Sequence, residues 1–266
     1  MPIIGCTTRP YNFISFSDAC RHIAAAGYEH VAVFINEGQV PVRAESTPDE
    51  VKACRNQAND AGLSPSLLLG ISSLGLGLDA AVDNYKRLID NAALLGSRWL
   101  LDCGTEKPEH YADYVELMSR AAPHASDAGV AITFKPHGGI SLTGSAMRAV
   151  HQKVNHPAFT LCYDPGNILY YTMGAQRPEK DVLDVASQVA TFITKDCTVQ
   201  DGQAEVAVTP GDGLVDFPTV IGKLLNAGFD GPMYLECVSG KTIERINEDV
   251  RSSLTFIRDL LDRAAS

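Results

Sequence analysis

No CxxC pair occurs among the seven cysteines, which are Cys6, Cys20, Cys54, Cys103, Cys162, Cys197 and Cys237. An odd number at these spacings argues against a disulfide framework or a zinc knuckle, and for reduced, buried thiols. Basic residues are scarce: 22 Lys and Arg stand against 32 Asp and Glu, a formal net charge of -10. Phosphate attraction supplies most non-specific nucleic-acid affinity, so an acidic chain with no clustered basic stretch argues against nucleic-acid and anionic-membrane partners. No apolar run approaches the ~20 residues of a membrane span. The opening Met1-Pro-Ile-Ile-Gly5 lacks a basic region and a long apolar region, so a cytoplasmic protein is expected. No low-complexity linker divides the chain, and a single domain over residues 1–266 is expected.

Hydrophobic residues make up 45% of the chain, enough for a full core. They fall into short runs that alternate with helical patterns. The apolar runs are Ile3–Cys6, His30–Phe34, Ser66–Gly70, Arg98–Cys103, the stretch from Ala131, Phe159–Asp164, Ala190–Asp196 and Met233–Cys237. Between them lie segments with helix start and stop signals. Thr47-Pro48-Asp49-Glu50 supplies a cap, a proline at the first helical position and acids in the first turn. Leu78–Leu95 is apolar at helical spacing and is stopped by Gly96; Pro123 is expected to kink or break a helix over His110–Ala128. Further helices are expected over Ser145–Val154, Pro178–Val189, Phe217–Ala227 and from Thr242 onward. Strict strand–helix alternation implies a parallel sheet with right-handed crossovers, and eight repeats close into a (β/α)8 TIM barrel. A doubly wound open sheet is the alternative, but Gly70 to Gly77 lacks the GxGxxG spacing.

The stretch Ala131-Ile-Thr-Phe-Lys-Pro-His-Gly-Gly139 breaks from apolar into charge at the end of a strand, where α/β proteins build their sites. The later strands do the same, ending in Asp164, in Lys195-Asp196 and in Glu236. Strand side chains alternate, so Thr133, Lys135 and His137 share one face, and Thr160, Cys162 and Asp164 another. If those faces turn to the barrel axis, Lys135, Asp164 and Glu236 converge. The bland reading is a satisfied buried ion-pair network. His137 can equally be a loop histidine, Lys195-Asp196 a surface pair, and Pro210–Gly213 a turn rather than a pocket edge. Cys162 and Cys237 read as packing residues.

Longer motifs add a resemblance. Gly5-Cys-Thr-Thr-Arg-Pro10 through Gly27-Tyr28, Cys162-Tyr-Asp-Pro-Gly-Asn167, Lys195-Asp196, Gly211-Asp-Gly-Leu-Val-Asp-Phe217 and Ala227-Gly-Phe-Asp-Gly-Pro-Met-Tyr-Leu-Glu236 span nearly the whole chain. Together they resemble the xylose isomerase-like barrels of the sugar phosphate isomerases and epimerases, whose relatives include dehydratases. The resemblance implies a divalent metal held by a glutamate, an aspartate, a histidine and a glutamate from strands five to eight. Asp164 and Glu236 match two of these. Lys135 falls where the first glutamate belongs and Ile193 where the histidine belongs, a depleted metal site. The cofactor is therefore open: none, or a weakly held Mn²⁺ or Mg²⁺ on Asp164 and Glu236.

The candidate catalytic residues are Lys135, His137, Asp164, Glu236 and Lys195. Lys135 would replace the metal as the cation that stabilises an enediolate, with Glu236 or His137 moving the proton. A Schiff-base role for Lys135 is the second version. The expected substrate is a small carbohydrate-like carbonyl compound, the expected reaction isomerisation or epimerisation, with dehydration as runner-up. A non-catalytic sugar-binding barrel is the reading from a different class. A metal-dependent DNA-repair nuclease fits an acidic, ligand-poor chain badly. A homo-oligomer is compatible with the sequence.

Overall fold

The computed structural model describes residues 2–265, so Met1 and Ser266 of the expected domain lie outside the described residues. The strands of the barrel are β1 (Ile4–Thr7), β2 (His30–Val33), β3 (Ser64–Leu69), β4 (Trp99–Asp102), β5 (Ala131–Phe134), β6 (Phe159–Tyr163) and β7 (Val189–Thr194). A two-stranded antiparallel hairpin follows, β8 (Thr198–Gln200) and β9 (Gln203–Glu205), and β10 (Met233–Leu235) closes the barrel. Strand order around it is β1-β10-β7-β6-β5-β4-β3-β2, and all eight neighbouring pairs are parallel. The (β/α)8 barrel expected from the alternation is therefore the fold.

Helices α1 (Phe16–Ala25), α2 (Pro48–Asp60), α3 (Leu78–Leu95), α4 (Tyr111–Asp127) and α5 (Gly144–Val154) cross between the first strands. Local chemistry sets their ends. Thr47 and Glu50 form a reciprocal capping box on α2, and Thr143 caps α5. The structure departs from the sequence expectations in a few places. Helix α4 runs on through Pro123 rather than ending there. Pro165–Tyr171 forms a short helix, α6, where only a strand exit was expected. Its cap is Asp164, whose Oδ1 accepts from the Asn167 amide at 2.9 Å.

Pro178–Val189 is not one helix. It holds the four-residue α7 (Pro178–Asp181) and two 3-10 turns, Val182–Asp184 and Ala186–Gln188. Asp181 turns inward there: its carboxylate accepts from the Gly144 amide at 2.9 Å, and its Oδ2 lies 3.1 Å from the Tyr163 hydroxyl. That anchor and the β-branched Val182, Val185 and Val189 oppose a continuous helix. The chain ends in α8 (Phe217–Asn226) and α9 (Ile243–Ala265).

Most of the core lies between strands and helices, with Tyr85, Tyr114, Phe134, Phe159 and Phe217 buried there. A smaller cluster fills the barrel itself: Ala32, Phe34, Leu67, Leu101, Cys162, Ile193 and Tyr234. Tyr234 plugs the axis, its hydroxyl 2.8 Å from Ser66 Oγ. A Cβ at Gly5 would lie 2.6 Å from the Tyr234 ring, so glycine in β1 makes room for that plug. All seven cysteines are free thiols, six of them buried, and no described helix is long and apolar enough to cross a membrane.

Candidate active site

Lys135, Asp164, Lys195 and Glu236 each stand one residue past the C-terminal end of a strand: β5, β6, β7 and β10. Those four strands are neighbours in the barrel. The rim therefore carries charges of alternating sign, plus, minus, plus, minus. The side chains turn inward and meet. Lys135 Nζ lies 2.9 Å from Asp164 Oδ2 and donates to Glu236 Oε2. Lys195 Nζ donates to Glu236 Oε1 at 2.7 Å and lies 3.8 Å from Asp164 Oδ2. All four are buried, with relative exposures of 2%, 0%, 4% and 3% in chain order.

The strand tips thus bring Lys135, Asp164 and Glu236 together and add Lys195 to them. Asp196 is also buried, so the Lys195-Asp196 surface pair does not exist. Asp196 serves the loop instead. Its oxygens accept from the amides of Cys197, Gly211, Gly213 and Val215 at 2.8 to 3.0 Å. Pro210–Gly213 is thereby a tied turn.

Burial opposes ionisation of Lys135, but Asp164 and Glu236 outweigh it and raise the ammonium pKa well above its ordinary value. Glu236 mirrors this. Burial pushes its carboxyl up, yet the ammoniums of Lys135 and Lys195, with their hydrogen bonds, hold it well below the usual carboxylate range. Both are therefore charged throughout the physiological range.

His137 sits at the mouth beside this ring, with its side chain 41% exposed. Its pKa falls to about 4, first through burial and then through Lys135 and Lys195, so the imidazole is neutral. The Tyr171 hydroxyl lies 2.9 Å from its Nδ1 and 3.0 Å from its Nε2. Two features set that pairing. The loop after β5 is fixed by the His137 amide donating to Ser141 Oγ at 2.9 Å and by Asn167 Nδ2 donating to the Pro136 carbonyl at 2.7 Å. Gly138, at φ 76°, leaves room for the Tyr171 ring, which a Cβ there would approach to 2.8 Å.

Two clefts open onto the ring. One, of about 160 Å³, is bounded by Arg9, Phe34, Cys103, Lys135, His137 and Glu236. The other, of about 260 Å³, adjoins it through Arg9, Asn12 and Glu236 and reaches Lys241. Larger hollows of about 410 and 580 Å³ lie near the N-terminal ends of strands, bordered by residues such as Ile3, His30, Trp99 and Thr160. No buried charges converge on them. Arg9 and Tyr171 were not among the expected site residues. Arg9 lay unremarked inside the Gly5–Pro10 motif, and Tyr171 follows from α6, one helical turn past Asn167.

The donor set does not suit a divalent cation. Each oxygen of Glu236 is held by an ammonium, and Asp164 shares its oxygens between Lys135 and a backbone amide. Ile193 points into the apolar interior of the barrel with no donor atom. Among the described residues no group of three or more His, Cys, Asp or Glu could hold a metal ion. The metal role that the resemblance gives Asp164 and Glu236 therefore has no complete site behind it.

Comparison with known proteins gives the same architecture. A structure of a xylose isomerase-like TIM barrel protein from Mycobacterium smegmatis in complex with magnesium superposes with a TM-score of 0.80 at 17% identity, covering 100% of this chain and 98% of that one. A D-psicose 3-epimerase structure in the presence of D-fructose gives 0.74 at 15% identity, with 97% and 99% covered. An L-ribulose 3-epimerase gives 0.74 at 14%, with 100% and 96% covered. Likeness at such identities is likeness of fold. No curated protein sequence gives a significant match. A sequence profile described as xylose isomerase-like TIM barrel matches residues 20–260. Nearly the whole chain is thus accounted for by one family, and the protein belongs to the xylose isomerase-like TIM barrels.

Proposed function

We propose that the protein is an isomerase or epimerase of a small polyhydroxylated keto compound, in which the Lys135 ammonium takes the place of a divalent cation. The observation that carries this is the position of Lys135 Nζ between Asp164 and Glu236, at the barrel end where enzymes of this architecture place their chemistry. An ammonium has three donors. One is donated to Glu236 Oε2, Asp164 Oδ2 lies 2.9 Å away as an ion-pair partner, and Lys135 also borders the smaller cleft, where a remaining donor can reach a substrate oxygen.

The reaction follows from that arrangement. A substrate carbonyl oxygen accepts from Lys135. A neutral base removes the proton from the neighbouring carbon, and negative charge gathers on the oxygen beside the fixed cation. Of the two candidate bases, His137 is the better. Glu236 has both oxygens occupied by ammoniums and a strongly depressed pKa, whereas His137 is neutral, borders the cleft and packs against Tyr171. Returning the proton to the former carbonyl carbon, while the hydroxyl proton passes to the former carbonyl oxygen, gives isomerisation; protonation of the original carbon by a second donor on its opposite face gives epimerisation. The raised pKa of Lys135 favours this electrostatic role over a Schiff base, which needs the free amine.

The test is proton NMR in D₂O with a panel of ketoses. Exchange of the hydrogen beside the carbonyl, abolished in Lys135→Met, is expected. Absence of exchange across the panel, with wild-type protein folded, would overturn the reading. Borohydride separates the two lysine roles: a reduced covalent adduct on Lys135 would replace the electrostatic role with an imine.

A further inference from the structure

The charged ring is not balanced once its neighbour is counted. Lys135, Lys195 and Arg9 bring three positive charges, and Asp164 and Glu236 bring two negative ones. Arg9 opens the 3-10 turn that follows β1 and reaches across to the last barrel strand. Its Nε donates to Cys237 Sγ at 3.3 Å and lies 3.9 Å from Glu236 Oε1. That oxygen is already taken by Lys195 at 2.7 Å, so Glu236 does not neutralise Arg9. Among the described residues the guanidinium is engaged through Nε alone, and the side chain is 47% exposed. Arg9 also borders both clefts at the barrel mouth. Arg9 thus brings a half-exposed guanidinium to the mouth of the candidate active site.

His137 beside it is neutral. Burial comes first among the causes of its lowered pKa; the ammoniums of Lys135 and Lys195 lower it further and Glu236 opposes them. Glu205 and Glu106 stand further out. Glu205 borders the larger cleft and accepts from the Ala207 amide, and Glu106 lies 3.8 Å from His137. They disfavour a dianion, and the site has one forked guanidinium rather than a glycine-rich amide cradle. That chemistry matches a carboxylate, which takes two parallel N–H donors from one arginine.

We infer that the substrate is a keto-sugar acid, a polyhydroxylated ketose bearing a carboxylate that Arg9 grips through its two terminal nitrogens while the carbonyl end lies at Lys135. The inference rests on the isomerase reading and narrows its substrate class. Both ends of the ligand are set by one residue, because Glu236 contacts Lys135 through Oε2 and faces Arg9 through Oε1.

The test is a binding measurement that needs no turnover. Calorimetric titration compares D-fructuronate, D-fructose and D-fructose 6-phosphate on the wild-type chain, on Arg9→Gln and on Arg9→Lys. Wild type is expected to bind the carboxylate at least about ten-fold more tightly than the neutral ketose, the scale of a charge-assisted bidentate contact. Arg9→Gln should bring the two within about two-fold, and Arg9→Lys should restore part of the preference. Raising salt should weaken the acid and leave the neutral sugar unchanged. Equal binding of acid and neutral sugar, a preference that survives in Arg9→Gln, tightest binding of the phosphate, or no binding of any of the three overturns the inference. Hydrogen exchange on a neutral ketose, in the absence of any acid preference, would leave the isomerase reading standing while removing this one. Circular dichroism and melting of each variant verify that it folds.

Discussion

Lys195 Nζ lies 2.7 Å from Glu236 Oε1, the carboxylate oxygen that Lys135 does not hold. Glu236 is thereby clamped from both sides, and Asp164 stands 2.9 Å from Lys135 and 3.8 Å from Lys195. Removing one lysine leaves a buried carboxylate half paired. Breaking a buried pair in this way costs about 3–5 kcal/mol, more than the pair itself contributes relative to an apolar replacement.

Lys135→Met is expected to lower unfolding free energy by about 3 kcal/mol and to abolish turnover. Urea titration measures the first and D₂O exchange the second. Lys195→Met should lower stability by a similar amount and leave some exchange, because Lys135 is the lysine that borders the smaller cleft. Equal loss of exchange in both variants would mean that the ring acts as a unit.

The pKa shifts set the pH dependence of stability. The Glu236 carboxyl is depressed in the folded state, so its contribution is complete above its ordinary value of 4.5 and is lost as pH falls from there through the folded pKa. Lys135 is raised, so its contribution is present below 10.5 and is lost only as pH rises through a still higher value. The two shifts describe one interaction and are not added. The unfolding free energy from urea titration is expected to fall steeply below pH 4.5 in wild type, by on the order of 2–3 kcal/mol, and less steeply in Glu236→Gln.

His137 gives a sharper observable. Its pKa of about 4 keeps the ring neutral where an ordinary histidine titrates, near 6.5. The Cε1 proton of His137 is expected to hold its shift from pH 8 to pH 5, while exposed histidines move. Tyr171→Phe removes the hydroxyl at Nδ1 but not the burial or the two lysines, so the pKa should stay low and the exchange rate should fall. A His137 that titrates near 6.5 would remove it from the role of neutral base.

Much of this was legible in the chain because of where the charges fall. A strand buried in a parallel barrel reads as an apolar run, and Ala131–Phe134 and Val189–Thr194 do so. A charge one residue past such a run is conspicuous, which is how Lys135, Asp164, Lys195 and Glu236 came to light. What was not legible depends on contacts far apart in sequence. Arg9 meets Cys237 across 228 residues, and nothing local marks it. Pro165-Gly166-Asn167 reads as a turn; only the Asp164 side chain turns it into the start of a helix, and with α6 unread Tyr171 stayed hidden. The β8–β9 hairpin is short and half exposed, with little apolar signal. The broken segment at 178–188 is decided by Asp181 binding Gly144 on another element.

Asp196 accepts four backbone amides, from Cys197, Gly211, Gly213 and Val215, and so holds the loop ahead of α8. Asp196→Ala strands several of those donors, and each buried unpaired donor costs about 1–3 kcal/mol. A loss of about 3 kcal/mol is expected. Amide hydrogen exchange should quicken at Gly211, Gly213 and Val215 before it does in the barrel strands. Asp196→Asn keeps an acceptor and should lose less. Uniform quickening across the barrel would place Asp196 in the global core instead of in this loop.

If the Lys135 ammonium occupies the place of a cation, then removing it and supplying a carboxylate should create a cation site. Lys135→Glu puts a third carboxylate beside Asp164 and Glu236, and these three repel one another unless a cation joins them. Lys195 remains and weakens any site it faces, so affinity should be modest, on the order of 0.1 mM for Mn²⁺. At 10 mM Mn²⁺ that affinity stabilises the variant by about 2.7 kcal/mol, a rise of several degrees in melting temperature. The wild-type chain should shift by less than about one degree under the same conditions, because its carboxylates are already engaged by ammoniums. Lys135→Met is the control, since it removes the ammonium without adding a donor. A wild-type shift as large as that of Lys135→Glu would show that Asp164 and Glu236 bind the metal with Lys135 in place, and the lysine would then have to be a neighbour of the cation instead of its substitute.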